Sequence, residues 1–455
     1  MREQSRPTAA NAVSRRTFLQ GTAGLGGLYA TGGLAAVLAA CGRADEGFAT
    51  GDPGEDFTGA LGLLLGSHMG PVQELVSRYQ SEYGVSPEVQ EITTPDLRSV
   101  VSSAFLAQDS PWDAIFTTAV LAQELGDRNW VQTVDAFLDQ NIRPRGELMD
   151  RGLSAIGAED GFLAVPWTMG APLMHWNRRL LEEADLDPDA PLNWHAEPNS
   201  WDTFVEYAQA LTFERDGVQH YGFTDAWADD HILYTWGSLL QMHGGSFLDE
   251  DHEPVFNTDA GVEATMKMYD LLNTHRVVDP AVNTYTWVFD ASPGFLNGTR
   301  GFFFTWPFIA GLANDPEGSD IAGDNAFAPQ PAVDTSASVD GSEFLAIPVF
   351  ADNPDEAWRF LDLVTSPEGQ RAIALGGWAS IYRDVNLDPE VLEAFPVNEA
   401  VVQSYDYPVD GGYSADREIW APILGNQIQE VLADNKDAAE ALDDAVRLIR
   451  AEREG

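Results

Sequence analysis

The sequence predicts an α/β fold divided into at least two lobes with a cleft between them, and three observations carry that expectation. At 455 residues, 44% hydrophobic and 11% aromatic, the chain is longer than one hydrophobic core usually serves and has apolar material for more than one. From residue 60 onward, strand-like and helix-like stretches alternate as βαβαβ, the order of a mostly parallel sheet covered by helices. A second alternating unit begins near residue 161.

The elements follow in order. SRRTFL at residues 14–19 matches the twin-arginine export pattern, with Arg15 and Arg16 as the pair. The apolar run behind it is repeatedly interrupted by glycine, which suits a segment used once and removed better than a permanent span. It ends in LAAC, small residues before Cys41, the single cysteine of the chain. This resembles a lipobox, in which Cys41 would be lipidated and become the new N-terminus; the plainer alternative is an uncleaved signal anchor with an incidental cysteine. Residues 1–40 are therefore read as a signal peptide and 41–56, rich in Gly and Asp without apolar period, as a flexible tether. ALGLLLG (60–66) reads as a strand. A helix follows with Pro71 near its start and Val72, Leu75, Val76 and Tyr79 at helical spacing. PEVQEI, PDLRSVVSSAFLAQD and WDAIFTT continue as strand, helix, strand. Ser67, His68, Thr117 and Thr118 fall at strand ends, where open α/β sheets hold their ligands. In the second unit, residues 161–186 read as a strand, a Pro-Trp turn, a strand carrying LMHWN and a short helix. NSWDTFVEYAQALT reads as a helix N-capped by Ser200 with Asp202 in its first turn. HYGFTDAW then reads as a strand and LYTWGSLLQMHGG as a buried helix closed by glycines.

Charge disfavours some functions and suggests a setting. There are 72 acidic against 25 basic residues, a formal net charge of -47, and Lys267 and Lys436 are the only lysines. Nucleic acid is an improbable partner, because phosphate neutralisation needs a cationic surface that 25 basic residues among 72 acidic ones do not supply. An acidic secreted protein would satisfy these numbers; acid spread over the whole chain with almost no lysine favours adaptation to high salt. One cysteine permits neither an internal disulfide nor a Cys-based metal site.

Four segments carry a family resemblance. VPWTMGAPLMHWNRRLLEEADL with the Trp-opened helix after it, GGSFLDEDHEPVFNTDAGVEATMKMYDLL, FLNGTRGFFFTWPFIAGL and, most specifically, NPDEAWRFLDLVTSPEGQRA resemble extracellular solute-binding proteins of family 1, the substrate-binding components of ABC importers, many of them sugar or oligosaccharide binders. The resemblance implies a periplasmic-binding-protein-like fold: two α/β lobes joined by crossing strands, closing over a ligand in the interlobe cleft. Crossings are expected at residues 165–172 and 329–341, the latter within the linker-like APQPAVDTSASVDG. Lobe one would be 57–168 plus 340–374, and lobe two 169–339 plus 375–455. It further implies a monomer on the extracellular face of the cytoplasmic membrane, held there through its lipid anchor alone and partnered by permease subunits.

A sugar offers apolar C–H faces and a hydroxyl rim, so its site combines flat aromatic rings with hydrogen-bonding side chains. By the resemblance, Trp306 and Phe308 follow a small-residue strand at the cleft, and Trp378 follows Gly376-Gly377 beside it. Trp167, Trp227 and Trp287 lie in turn or strand-end contexts, His68 follows the first strand, and Asp113 matches an acidic position common in the family. Trp201 and Trp358, on helices, are expected in the core. The rival class is a glycoside hydrolase, but there is no Gly-x-Ser-x-Gly elbow, zinc-binding His spacing or phosphate loop. The acidic run DEDHE lacks the glycine and terminal Glu of a calcium loop. No enzyme activity, cofactor or metal is expected. Alternative cargoes are a polyamine, glycerol phosphate or a peptide, with Arg300 and Arg383 available to an anionic group.

Overall fold

In the computed structural model, residues 60–158 and 161–454 are described. The export signal with Arg15 and Arg16, the lipobox with Cys41 and the tether lie outside them. Two five-stranded sheets organise the chain. The first contains β1 (Gly62–Gly66), β2 (Glu88–Ile92) and β3 (Ala114–Thr118), with helices Gly70–Tyr83 and Thr94–Leu106 between them as the alternation predicts. A two-stranded ribbon of β4 (Gly157–Ala158) and β5 (Gly161–Phe162) precedes β6 (Val165–Thr168). The second sheet is built from β7 (Leu173–Asn177), β8 (Phe213–Arg215), β9 (Val218–Thr224), β10 (Arg300–Thr305) and β11 (Asn325–Ala328), after which β12 (Glu343–Ala346) returns to the first. The orders are β2-β1-β3-β12-β6 and β11-β7-β10-β9-β8.

Local chemistry explains the placements. In β1, Leu63, Leu64 and Leu65 are all fully buried, as an apolar run covered on both faces requires. β2 pairs with β1 in parallel from Gly62 opposite Glu88 to Gly66 opposite Ile92, and as the edge strand it keeps Glu88 and Glu91 exposed. Two local expectations are corrected. Pro166 and Trp167 form no turn but lie within β6, where a proline is tolerated because β6 is the outer strand of its sheet. Ser200 is the first residue of its helix rather than the cap, and its hydroxyl donates to the Trp194 carbonyl, 2.6 Å away.

Each sheet organises its own core. The first takes Tyr79, Phe105, Phe116, Phe137, Trp167 and Phe360; the second takes Trp176, Phe204, Trp227, Trp236 and Trp420. Ile381, Tyr382, Val397, Val401 and Val409 also belong to the first core, although they come from the stretch after residue 374 assigned by sequence to the other lobe. Three segments consequently run between the cores: residues 169–172, 329–342 and, unforeseen in the sequence, 405–416. They are stitched together by Gly341 N–H to Gly170 C=O at 2.7 Å, Asp340 N–H to Val409 C=O at 2.6 Å and Ser338 N–H to Pro408 C=O at 2.9 Å. Gln241 braces them, its amide donating to the Ser338 and Asp410 carbonyls at 2.9 and 2.8 Å. No helix among the described residues is long and apolar enough to cross a membrane.

Candidate ligand-binding site

The sheet edges nearest the crossings carry two groups of side chains. On the first, strand polarity gathers residues distant in sequence. β1 and β3 run parallel, while β12 runs antiparallel with Glu343 opposite Thr118 of β3 and Thr168 of β6. His68, just past β1, therefore meets Glu343, and Nε2 lies 2.8 Å from Oε2. The imidazole stands edge-on to Phe116 at 5.2 Å and beside Trp378 and Trp167 at 5.5 and 6.4 Å, the two indoles being 5.1 Å apart. Two glycines permit this assembly. A Cβ on Gly66 would come within 2.6 Å of the His68 ring, and Gly377, at φ +91, turns the chain out of the Pro367–Leu375 helix so that Trp378 faces His68.

On the second edge, β9 and β10 run parallel and end together. Past β9, buried Asp225 accepts hydrogen bonds from Ala226 N–H at 2.7 Å, Trp227 Nε1 at 3.1 Å and the Thr235 hydroxyl. Burial pushes its carboxyl up to about 7. His231 is pushed down to about 4, also by burial, and touches Tyr234 and Trp287, each with ring centroids 5.0 Å away. Past β10, Trp306 packs edge-on against Tyr234 at 5.0 Å and lies on the crossing chain so closely that a Cβ on Gly341 would sit 2.1 Å from its ring. Asp225, His231, Tyr234, Trp306, Pro172 and Gln330 line a cavity of about 10 Å³, room for roughly one water. Trp287 is 41% exposed at the start of the Val288–Leu296 helix, which Asp290 caps by accepting the Thr286 and Trp287 N–H groups at 2.9 and 3.2 Å. Phe308 pairs with the exposed Phe289 at 5.6 Å. The lobes touch here, since Ala310 of the Ile309–Ala313 helix is buried in the first core.

Of the eight residues singled out by sequence, the fold brings His68, Trp167 and Trp378 together on one edge and Trp306, Trp287 and Phe308 on the other. Two stand apart. Trp227 is fully buried in the second core with its N–H spent on Asp225. Asp113 precedes β3, at the end of the sheet away from His68. Its carboxylate is buried, accepting from Gly62 N–H at 2.8 Å and Asn353 N–H at 2.7 Å, so it ties the start of β1 to a distant loop. The cations considered for an anionic cargo are also committed: Arg300 to Asp279 at 2.7 Å, and Arg383 to Asp406 at 2.5 Å and Glu147 at 3.3 Å. Glu343, Tyr234 and His231 were not foreseen. Glu343 had a faint signal, an acid opening the apolar strand FLA immediately after the linker.

Between the lobes, Asp340 is fully buried and its Oδ1 accepts from the Tyr405 and Ser342 hydroxyls at 2.6 and 2.7 Å. Burial pushes it up to about 7 and, with this carboxylate alongside, lifts Tyr405 well above the ordinary phenol range.

Known proteins share this architecture. A maltose-bound MalE3 of T. maritima superposes with a TM-score of 0.73 at 21% identity, covering 86% of this chain and 99% of its own. A protein of Sinorhizobium fredii named "Probable amino-acid ABC transporter periplasmic-binding protein" is 27% identical over 64% of this chain and 62% of its own length. An arabinooligosaccharide-binding protein of Halalkalibacterium halodurans is 22% identical over 50% of this chain and 49% of its own. The chain thus spans about half to three fifths of the curated relatives it matches. The family model described as bacterial extracellular solute-binding protein matches residues 65–371, well over half of the sequence, and the chain belongs to that family.

Proposed function

We propose that this protein is the solute-capturing component of an ABC importer, taking a sugar or oligosaccharide into the interlobe cleft and presenting it to a membrane permease. The observation that carries the reading is the pair of aromatic groups, His68–Trp167–Trp378 and Tyr234–Trp306–Trp287, on sheet edges that meet at the crossing segments. Rings beside a few hydrogen-bonding side chains suit a ligand with apolar faces and a hydroxyl rim. The three crossings form the hinge of closure, and the lobes divide accordingly, with residues up to about 410 returning to lobe one. The twin arginines and the lipobox at Cys41 support export and anchoring on the outer side of the cytoplasmic membrane as part of this reading, and the acidic composition supports a setting of concentrated salt. Family membership and the oligosaccharide-binding relative support this reading.

The test is a thermal-shift screen in molar salt against neutral mono- and oligosaccharides, amino acids, polyamines, glycerol phosphate and short peptides, with the mixtures then assayed for products. Stabilisation by a saccharide recovered intact is the expected result. Stabilisation confined to the other classes sinks the sugar reading, and turnover sinks the transport reading.

A further inference from the structure

The His68–Glu343 pair has capacity the protein does not use. Each residue spends one atom on the other, and among the described residues His68 Nδ1 and Glu343 Oε1 make no hydrogen bond. Neither side chain is buried away: His68 is 29% exposed and Glu343 20%, at the margin of the Phe116, Trp167 and Trp378 rings. No lysine or arginine among the described residues pairs with Glu343. Arg417, a buried cation just past the third crossing, is committed elsewhere: it is 3.5 Å from Asp230, donates to the Gly411 carbonyl and lies over Tyr413 and Trp420. An open carboxylate with no lysine or arginine beside it, next to aromatic faces, accepts from hydroxyl groups and disfavours anions.

We propose that Glu343 is a specificity-determining residue of the binding site, accepting hydrogen bonds from ligand hydroxyls while His68 holds it in place, and that it restricts the cargo to neutral polyols and saccharides by rejecting acidic sugars and sugar phosphates. This inference rests on the saccharide reading above and narrows it. The general acidity of the chain cannot provide the discrimination in molar salt, where the Debye length falls to about 3 Å. A partly buried carboxylate within contact distance of the ligand is not screened in that way, and a like charge brought beside it should weaken binding by at least about 100-fold.

The experiment is titration calorimetry of the whole mature protein in molar salt with maltose, arabinobiose and mannitol, each paired with its forms oxidised to a carboxylate at either terminal carbon. The wild type is expected to prefer a neutral member over an oxidised partner by at least about 100-fold. Glu343→Gln keeps the shape and one acceptor, and should shrink that preference to under about tenfold, chiefly by admitting the acid. His68→Ala should weaken neutral binding without admitting the acid. Equal binding of neutral and oxidised forms by the wild type, or a preference that Glu343→Gln leaves unchanged, overturns the inference while the saccharide reading stands. Absence of any saccharide signal, with binding of a polyamine or peptide instead, overturns both.

Discussion

Two tryptophans show how the same residue type serves opposite ends. Trp378 is half-buried among the rings of the proposed binding edge, whereas Trp227 is sealed in the second core with its N–H on Asp225. Trp378→Ala should weaken saccharide binding by about 10- to 100-fold, the worth of roughly 1.5–3 kcal/mol of stacking and burial, and leave the melting temperature nearly unchanged. Trp227→Ala should cost about 3–5 kcal/mol of stability through the cavity it opens and alter affinity little once the protein is folded. Calorimetry and denaturant titration of both variants separate the roles; comparable affinity losses in the two would contradict this assignment. Asp340 makes a second prediction at this scale. Its folded pKa of about 7 lies above the ordinary carboxylate value, so the native state holds the proton more tightly than the unfolded chain does. The stability this contributes is fully present near pH 4 and is lost as pH rises towards 7. Buried His175 and His231, pushed down to about 3 and 4, act with the opposite sign as pH falls below about 6.5. The difference between wild type and Asp340→Asn isolates the carboxyl: between pH 4 and 7 the wild type should lose several degrees of melting temperature relative to the variant. Parallel profiles would show that Asp340 does not titrate in that window.

Among the elements, the crossing segments decide how the lobes can move, and Gly341 is their tightest point. Its N–H is bonded to Gly170, and its missing side chain makes room for the Trp306 ring. Gly341→Ala must displace that ring or part the segments, so saccharide affinity should fall at least tenfold and ligand-induced compaction, read by small-angle scattering, should shrink. Unaltered affinity and compaction would show that Trp306 and the hinge are independent. This level also separates what was legible in the sequence from what was not. β1 could be read because it is a short apolar run between turn signals, and β2 and β3 because they alternate with helical patterns around it. The crossing at 329–342 could be read from its composition. The third could not, because residues 405–416 owe their position to partners remote in sequence, such as Gly170 for Tyr405 and Ser338 for Pro408. Asp113 misled for a related reason: an acid beside a strand is equally suited to a cleft or to a backbone clamp, and only the polarity of β3 decides between them. Glu343 stayed hidden because its partner, His68, is 275 positions away.

For the whole molecule, charge is the governing quantity. A net charge of -47 on 455 residues leaves acids in large excess over the cations available to pair with them. Several of the pairs that do form lie at the surface, such as Arg447–Asp444 and Arg450–Glu253, where solvent and salt screen the attraction and each contributes little. The remaining repulsion acts over the Debye length, about 10 Å at 0.1 M salt and 3 Å at 1 M, so it weakens steeply across that range. The proposed binding edges respond differently. Ring stacking is indifferent to ionic strength, and the His68–Glu343 contact, at 2.8 Å and partly shielded, lies inside even the shortest of these lengths. Raising potassium chloride from 0.1 to 2 M should therefore raise the melting temperature by more than about 10 °C while shifting saccharide affinity by less than about threefold. Scanning calorimetry and isothermal titration on the same samples provide both readings. A melting temperature flat with salt would remove the case for a salt-adapted surface. An affinity that falls tenfold or more over the same range would instead identify a charged ligand, because a neutral saccharide has no long-range attraction for salt to screen.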